Sequence, residues 1–144
     1  MRLAERLESH ILQLAAEHGV EVVYRGRGRA ARRARRITVS AVRGRATYLV
    51  ALHELGHVLG PNPRRRLEQE VAAWEWALSQ TIVEPTTANY RKILRALESY
   101  RLRAARRKDM VTPPAFLDYL ELMRGLADDA RDGEEALAGA VRDG

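Results

Sequence analysis

Apolar residues recur at helical spacing through most of this chain, and only two short stretches carry strand character. Leu3, Leu7, Ile11, Leu14 and Ala15 mark one face of a helix over 2–18, with Gly19 placed to end it. Residues 20–24 are rich in β-branched and aromatic types and predict a short strand. A second strand is expected over 37–42, Ile-Thr-Val-Ser-Ala-Val, and Gly44 breaks it. Between them, 25–36 interleaves Arg with Gly and Ala. Nothing in it can build a core, which predicts a flexible loop or a hairpin connection.

The remaining pattern is helical. A helix should begin near 45–47 and run through Val58 or Leu59, stopped by Gly60 and then Pro61 and Pro63. The next is expected over 64–81, with Leu67, Val71, Trp74 and Leu78 on one stripe. Glu84-Pro85-Thr86-Thr87 is a boundary with N-cap chemistry. A fourth helix over 88–107 should turn Tyr90, Ile93, Leu94, Leu97 and Tyr100 inward. Thr112-Pro113 then offers a cap followed by a first-turn proline, opening a helix over 113–131 that buries Phe116, Leu117, Leu120, Met123 and Leu126. Residues 132–144 are charged and contain Gly, so a frayed tail is expected there. The fold class is α+β and predominantly helical. One domain over 1–131 should have a core at 2–81 and a helical extension at 84–131.

Composition narrows the chemistry. The 144 residues include no cysteine, which excludes disulfides and thiolate metal clusters and fits a cytoplasmic protein. No run is apolar and long enough to cross a bilayer, so no membrane partner is expected. The net charge of +6 is carried by Arg, with Lys only at positions 92 and 108.

Against that background His53-Glu54-Leu55-Gly56-His57 stands out. Residues i and i+4 share a helix face, so both imidazoles can reach one metal ion. Glu54 would sit beside the open coordination position, suited to take a proton from water and pass it to a leaving amine. Two histidines leave a zinc ion one protein ligand short, and no histidine follows His57, so a carboxylate is needed. The 64–81 helix offers Glu68, Glu70 and Glu75. Glu70 lies on a shoulder of the apolar stripe among Leu67, Ala73, Trp74 and Ala77, where an unpaired carboxylate would be costly and a cation would neutralise it. Glu68 and Glu75 share the more solvated shoulder and stay open as alternatives. The 60–63 link is short enough to fold the two helices back antiparallel. His10 and His18 are expected to be structural or solvated. Tyr48, Tyr90 and Tyr100 are candidates for a second electrophile beside the scissile carbonyl, and the strand over 37–42 for an edge that pairs with an extended substrate.

These residues resemble the ImmA/IrrE family of small metallopeptidases of phages, integrative elements and bacterial stress regulators. The likeness rests on Leu52-His53-Glu54-Leu55-Gly56-His57-Val58-Leu59-Gly60 and on Glu68-Gln69-Glu70-Val71-Ala72-Ala73-Trp74, and it covers roughly 2–81. Val71 and Ala72 stand where the family usually has Ala-Asn. The resemblance implies a minimal zincin-like fold with a small sheet beside the motif helix. It also implies Zn2+ held by His53, His57 and Glu70, and Glu54 as general acid/base. The implied substrate is a protein, a helix-turn-helix transcriptional repressor.

A rival of another class is a basic nucleic-acid-binding regulator whose zinc only holds the fold. Arg27, Arg29, Arg32, Arg33, Arg35 and Arg36 form a dense cationic segment that would attract DNA phosphates or an acidic partner, with strong salt dependence. Little aromatic interleaving argues against base stacking.

Overall fold

The computed structural model describes residues 1–107 and 112–143, with side chains as far as Asp128. It is α+β and predominantly helical. The chain divides into two compact units, Met1–Glu84 and Pro85–Gly144, with the break at the predicted 84–87 boundary.

The first unit runs α1 (Leu3–Glu17), β1 (Glu21–Tyr24), β2 (Arg29–Ala31), β3 (Arg36–Val39), α2 (Arg45–Leu59) and α3 (Arg66–Gln80). Gly19 takes a left-handed φ of 65°, which an L-residue adopts only at a cost, and so turns the chain from α1 into β1. The sheet order is β1-β3-β2, with β1 parallel and β2 antiparallel to β3. The arginine-rich stretch is therefore a hairpin, closed by Arg35 at φ 49°.

The strand predicted over 37–42 stops at Val39. β1 ends opposite Val39, and β2 reaches only as far as Thr38, so 40–42 has no ladder to join. β3 is also the central strand. Both its edges are occupied, so it cannot accept an added substrate strand, and that expectation is corrected.

Period-two alternation sends Ile37 and Val39 into the core and leaves Arg36 exposed. Leu7, Ile11 and Ala15 of α1 are buried as well, as their spacing predicts. Each fully buried Leu or Ile is worth roughly 1.5–3 kcal/mol. The α2 helix is buried almost all round, from Tyr48 and Leu49 to Val58, and forms the unit's centre. Its start is fixed by Thr47, whose hydroxyl oxygen accepts from the backbone N–H of Arg43 (2.8 Å) and Gly44 (3.2 Å).

In the second unit α4 (Thr87–Ala105) packs on α5 (Pro114–Asp143). Thr86 and Asn89 cap α4 reciprocally, each side chain accepting from the other's backbone N–H. Ile93 and Leu97 are buried, whereas Tyr90, Leu94 and Tyr100 are half-buried. Phe116, Leu120 and Met123 are buried and Leu126 is half-buried, but Leu117 is 45 % exposed because Tyr119 takes the inward place. α5 continues to Asp143, past the tail boundary expected at 132. Gly133 lowers helix propensity without blocking it, since no proline interrupts the run. Gly144 lies outside the described residues. No described helix is long and apolar enough to cross a membrane.

Candidate metal centre

The motif helix and the glutamate helix meet at a glycine. A Cβ placed on Gly56 would lie 2.6 Å from the carbonyl oxygen of Ala73, so only a bare backbone allows this approach. At the other end of the contact, Gly60 lies against Trp76. Trp76 is ten residues into α3, about 15 Å along it. The Pro61-Asn62-Pro63 link therefore carries the chain away before α3 returns. The helices cross at Gly56 and Ala73 instead of forming the antiparallel hairpin expected from loop length.

That crossing brings three side chains together. His53 and His57 each direct Nε2 at Oε2 of Glu70, at 3.0 and 3.2 Å. One ligand atom from each lies within 4.8 Å of the other two, so the group could hold a metal ion. Tetrahedral zinc with bonds of about 2.0–2.1 Å places its ligand atoms about 3.3 Å apart, close to the two distances seen. The donor set of two imidazoles and one carboxylate fits that metal and leaves one coordination position for solvent. Glu70 is only 2 % exposed, while Glu68 is half-buried and Glu75 exposed, so the three alternatives reduce to one. Leu67, Ala73, Trp74 and Ala77 around Glu70 are all buried. Its second oxygen meets Arg66 Nε at 3.5 Å.

The electrostatics follow from this packing. Burial pushes the Glu70 carboxyl up, but hydrogen bonds and charge from His53 and His57 outweigh it and hold the pKa at about 2. Burial likewise opposes a charged His53, yet its hydrogen bonds to Glu54 and Glu70 prevail and raise its pKa above 6.5. The signs give a test on metal-free protein. Glu70's contribution to stability is complete above pH 4.5 and is lost as the pH falls toward about 2. That of His53 is complete below pH 6.5 and is lost as the pH rises through its raised value. With chelator present, the urea midpoint of the native chain minus that of Glu70→Gln should therefore be largest between pH 4.5 and 6.5. A pH-independent difference would contradict the pairing.

Glu54 is also buried, at 8 % exposure, and stands outside the ligand group. Its Oε1 lies 3.4 Å from Nδ1 of His53. Two contacts here escaped the sequence reading. Trp74 stacks on His53 with ring centroids 4.1 Å apart and planes 16° from parallel, fixing the imidazole. Gly28, just before β2, lies against Glu54: a Cβ there would be 3.2 Å from Oε1. The Gly-Arg alternation was visible, but no local pattern says which glycine meets a helix 26 residues on.

The candidate arginines separate. Arg32 donates through Nη1 to the carbonyl oxygens of His57 (3.0 Å) and Gly60 (2.9 Å), capping the motif helix where its last carbonyls need donors. Arg35 donates to the His18 carbonyl, and Arg36 pairs with Glu21 at 2.8 Å. Arg33 is exposed, and Arg27 and Arg29 line a cavity on the sheet. Tyr48 is fully buried, its hydroxyl held by His10 Nδ1 (2.6 Å) and the Ile82 N–H (3.2 Å), so it is a packing residue. Tyr90 and Tyr100 belong to the second unit. His18 is exposed at the C-cap of α1, with Nδ1 2.9 Å from the Leu14 carbonyl.

Comparison of the chain with family models, with curated proteins and with solved structures finds no match.

Proposed function

We propose that the protein is a zinc-dependent metallo-endopeptidase of the ImmA/IrrE type. The observation that carries this reading is the buried convergence of His53, His57 and Glu70, with the carboxylate of Glu54 beside it but outside the ligand set. A structural site needs no spare buried carboxylate, and a hydrolytic one needs a proton carrier. Zinc bound there supplies Lewis acidity, lowering the pKa of water and polarising a carbonyl. Glu54 takes a proton from the attacking water and returns it to the leaving amine. Trp74 and Glu70 hold the His53 ring in one orientation.

The proposed substrate is a helix-turn-helix transcriptional repressor of a phage or mobile element, met in the cytoplasm; the likeness of the two motif stretches supports that class. Zinc should raise the thermal midpoint of chelator-treated protein, because a ligand that binds only the folded state adds about 4 kcal/mol at a thousandfold excess over its Kd. His53→Ala should show no such rise and no hydrolysis. A zinc-induced rise that survives His53→Ala would remove the site, and with it the reading.

A further inference from the structure

The sheet turns a second set of chemistry outward. Ala30 pairs with buried Ile37, and Arg29 pairs with Thr38, so these neighbours look to opposite faces. A Cβ on Gly28 would point at Glu54 and Val50, toward α2. Arg27 and Arg29, on either side of Gly28, both line an open cavity of about 490 Å3 on the outer face, together with Arg25, Arg36, Glu21 and Thr38. Glu21 is the cavity's acidic residue and pairs with Arg36. Arg25, Arg27 and Arg29 have no carboxylate at ion-pair distance among the described residues. Three guanidinium groups that line one cavity and have no ion-pair partner among the described residues form a site for carboxylates or phosphates. No aromatic residue lines the cavity, so nucleobases have nothing to stack on. β2 is an edge strand whose ladder uses only its β3 side.

From these features we infer that the free edge of β2 receives an extended, acidic segment of the substrate. Acidic side chains at i and i+2 face Arg27 and Arg29, and the residue between them lies opposite Gly28, beside Glu54. Strand addition supplies the backbone hydrogen bonds, and alternate side chains supply the selection. This assignment rests on the peptidase reading and adds to it a substrate class: Asp or Glu on both sides of an unrestricted residue.

The test uses the full-length, zinc-loaded chain carrying Glu54→Gln, so that bound peptide is not consumed. Labelled octapeptides centred on Glu-Ala-Glu, Gln-Ala-Gln or Lys-Ala-Lys are titrated by fluorescence anisotropy at low ionic strength. The acidic peptide should bind about fivefold or more tighter than the Gln peptide, the size that two exposed ion pairs supply together, and salt should erase the difference. Adding Arg27→Glu and Arg29→Glu should reverse the preference toward the Lys peptide, with zinc content unchanged as the check on folding. Equal affinities, or an acidic preference that survives the charge reversal, overturn the inference. So does tight binding of duplex DNA that the acidic peptide cannot displace. The native chain, with Glu54 intact, separates the two readings: an acidic preference in the variant with no peptide hydrolysed by the native chain would remove the peptidase reading and keep the docking site. Hydrolysis of neutral and acidic peptides at one rate would remove the docking site alone.

Discussion

Glu54→Gln should abolish peptide hydrolysis and leave the metal bound. The amide matches the carboxylate in shape and can still reach Nδ1 of His53, 3.4 Å from Oε1 in the native chain, so the imidazole keeps its neighbour. The atoms that could ligate a metal ion come from His53, His57 and Glu70, none of which is touched by the change. What the amide cannot do is accept a proton. Positioned general acid–base groups contribute about 10²–10⁴-fold to rate, and hydrolysis should fall by that factor or more. Zinc per chain, measured by elemental analysis, should stay where it was. A variant that cleaves at the native rate would show that Glu54 carries no proton, whatever the metal does.

Gly56→Val should be the most damaging substitution that leaves every polar group in place. The first added carbon would meet the Ala73 carbonyl oxygen at 2.6 Å and the Ala73 Cα at 3.1 Å. Both are backbone atoms inside a helix and cannot rotate away. Overpacking of this kind costs about 1–3 kcal/mol or more. Removing a helical glycine returns up to about 1 kcal/mol of helix propensity, even for the favourable case of Ala, so strain wins. The consequence reaches the metal, because His53 and His57 flank Gly56 on one helix and Glu70 and Trp74 flank Ala73 on the other. Moving the helices apart stretches the 3.0 and 3.2 Å approaches to Glu70. Zinc affinity, by competition with a chelator, should drop at least about tenfold along with the urea midpoint. Gly125→Ala is the control for the added Cβ alone, since nothing lies within 4 Å of that position and the change should be neutral or stabilising there. Native zinc affinity in Gly56→Val would mean the close crossing does not set the site.

How far the chain could be read without coordinates depends on how local each feature is. His53 and His57 were legible because i, i+4 spacing is enough to put two side chains on one helix face. Glu70 was legible for an energetic reason: a carboxylate placed among Leu67, Ala73, Trp74 and Ala77 needs a partner, and Glu68 and Glu75 do not. The 60–63 link is short enough for a tight antiparallel return, yet the crossing at Gly56 brings Glu70 to the histidines from a different direction. The arginine segment shows the opposite limit. Its charge was obvious, but Arg32, Arg35 and Arg36 are occupied with a helix end, a turn and an ion pair, and Arg27 and Arg29 are not. Adjacent residues of one type received different roles because neighbouring residues along a strand point to opposite faces, and the turn between β2 and β3 redirects the rest.

Spacing and the cost of burying charge were enough to place the helices, the Thr86 cap and the paired imidazoles, and to favour Glu70 over Glu68 and Glu75. Packing alone made β3 central, laid Trp74 flat on His53, singled out Glu70 as the third member of the group, and set Gly28 and Gly56 where backbone touches the site. Those are contacts between segments far apart in the chain. They depend on which surfaces find room to meet, and a missing side chain says that something comes close without saying what.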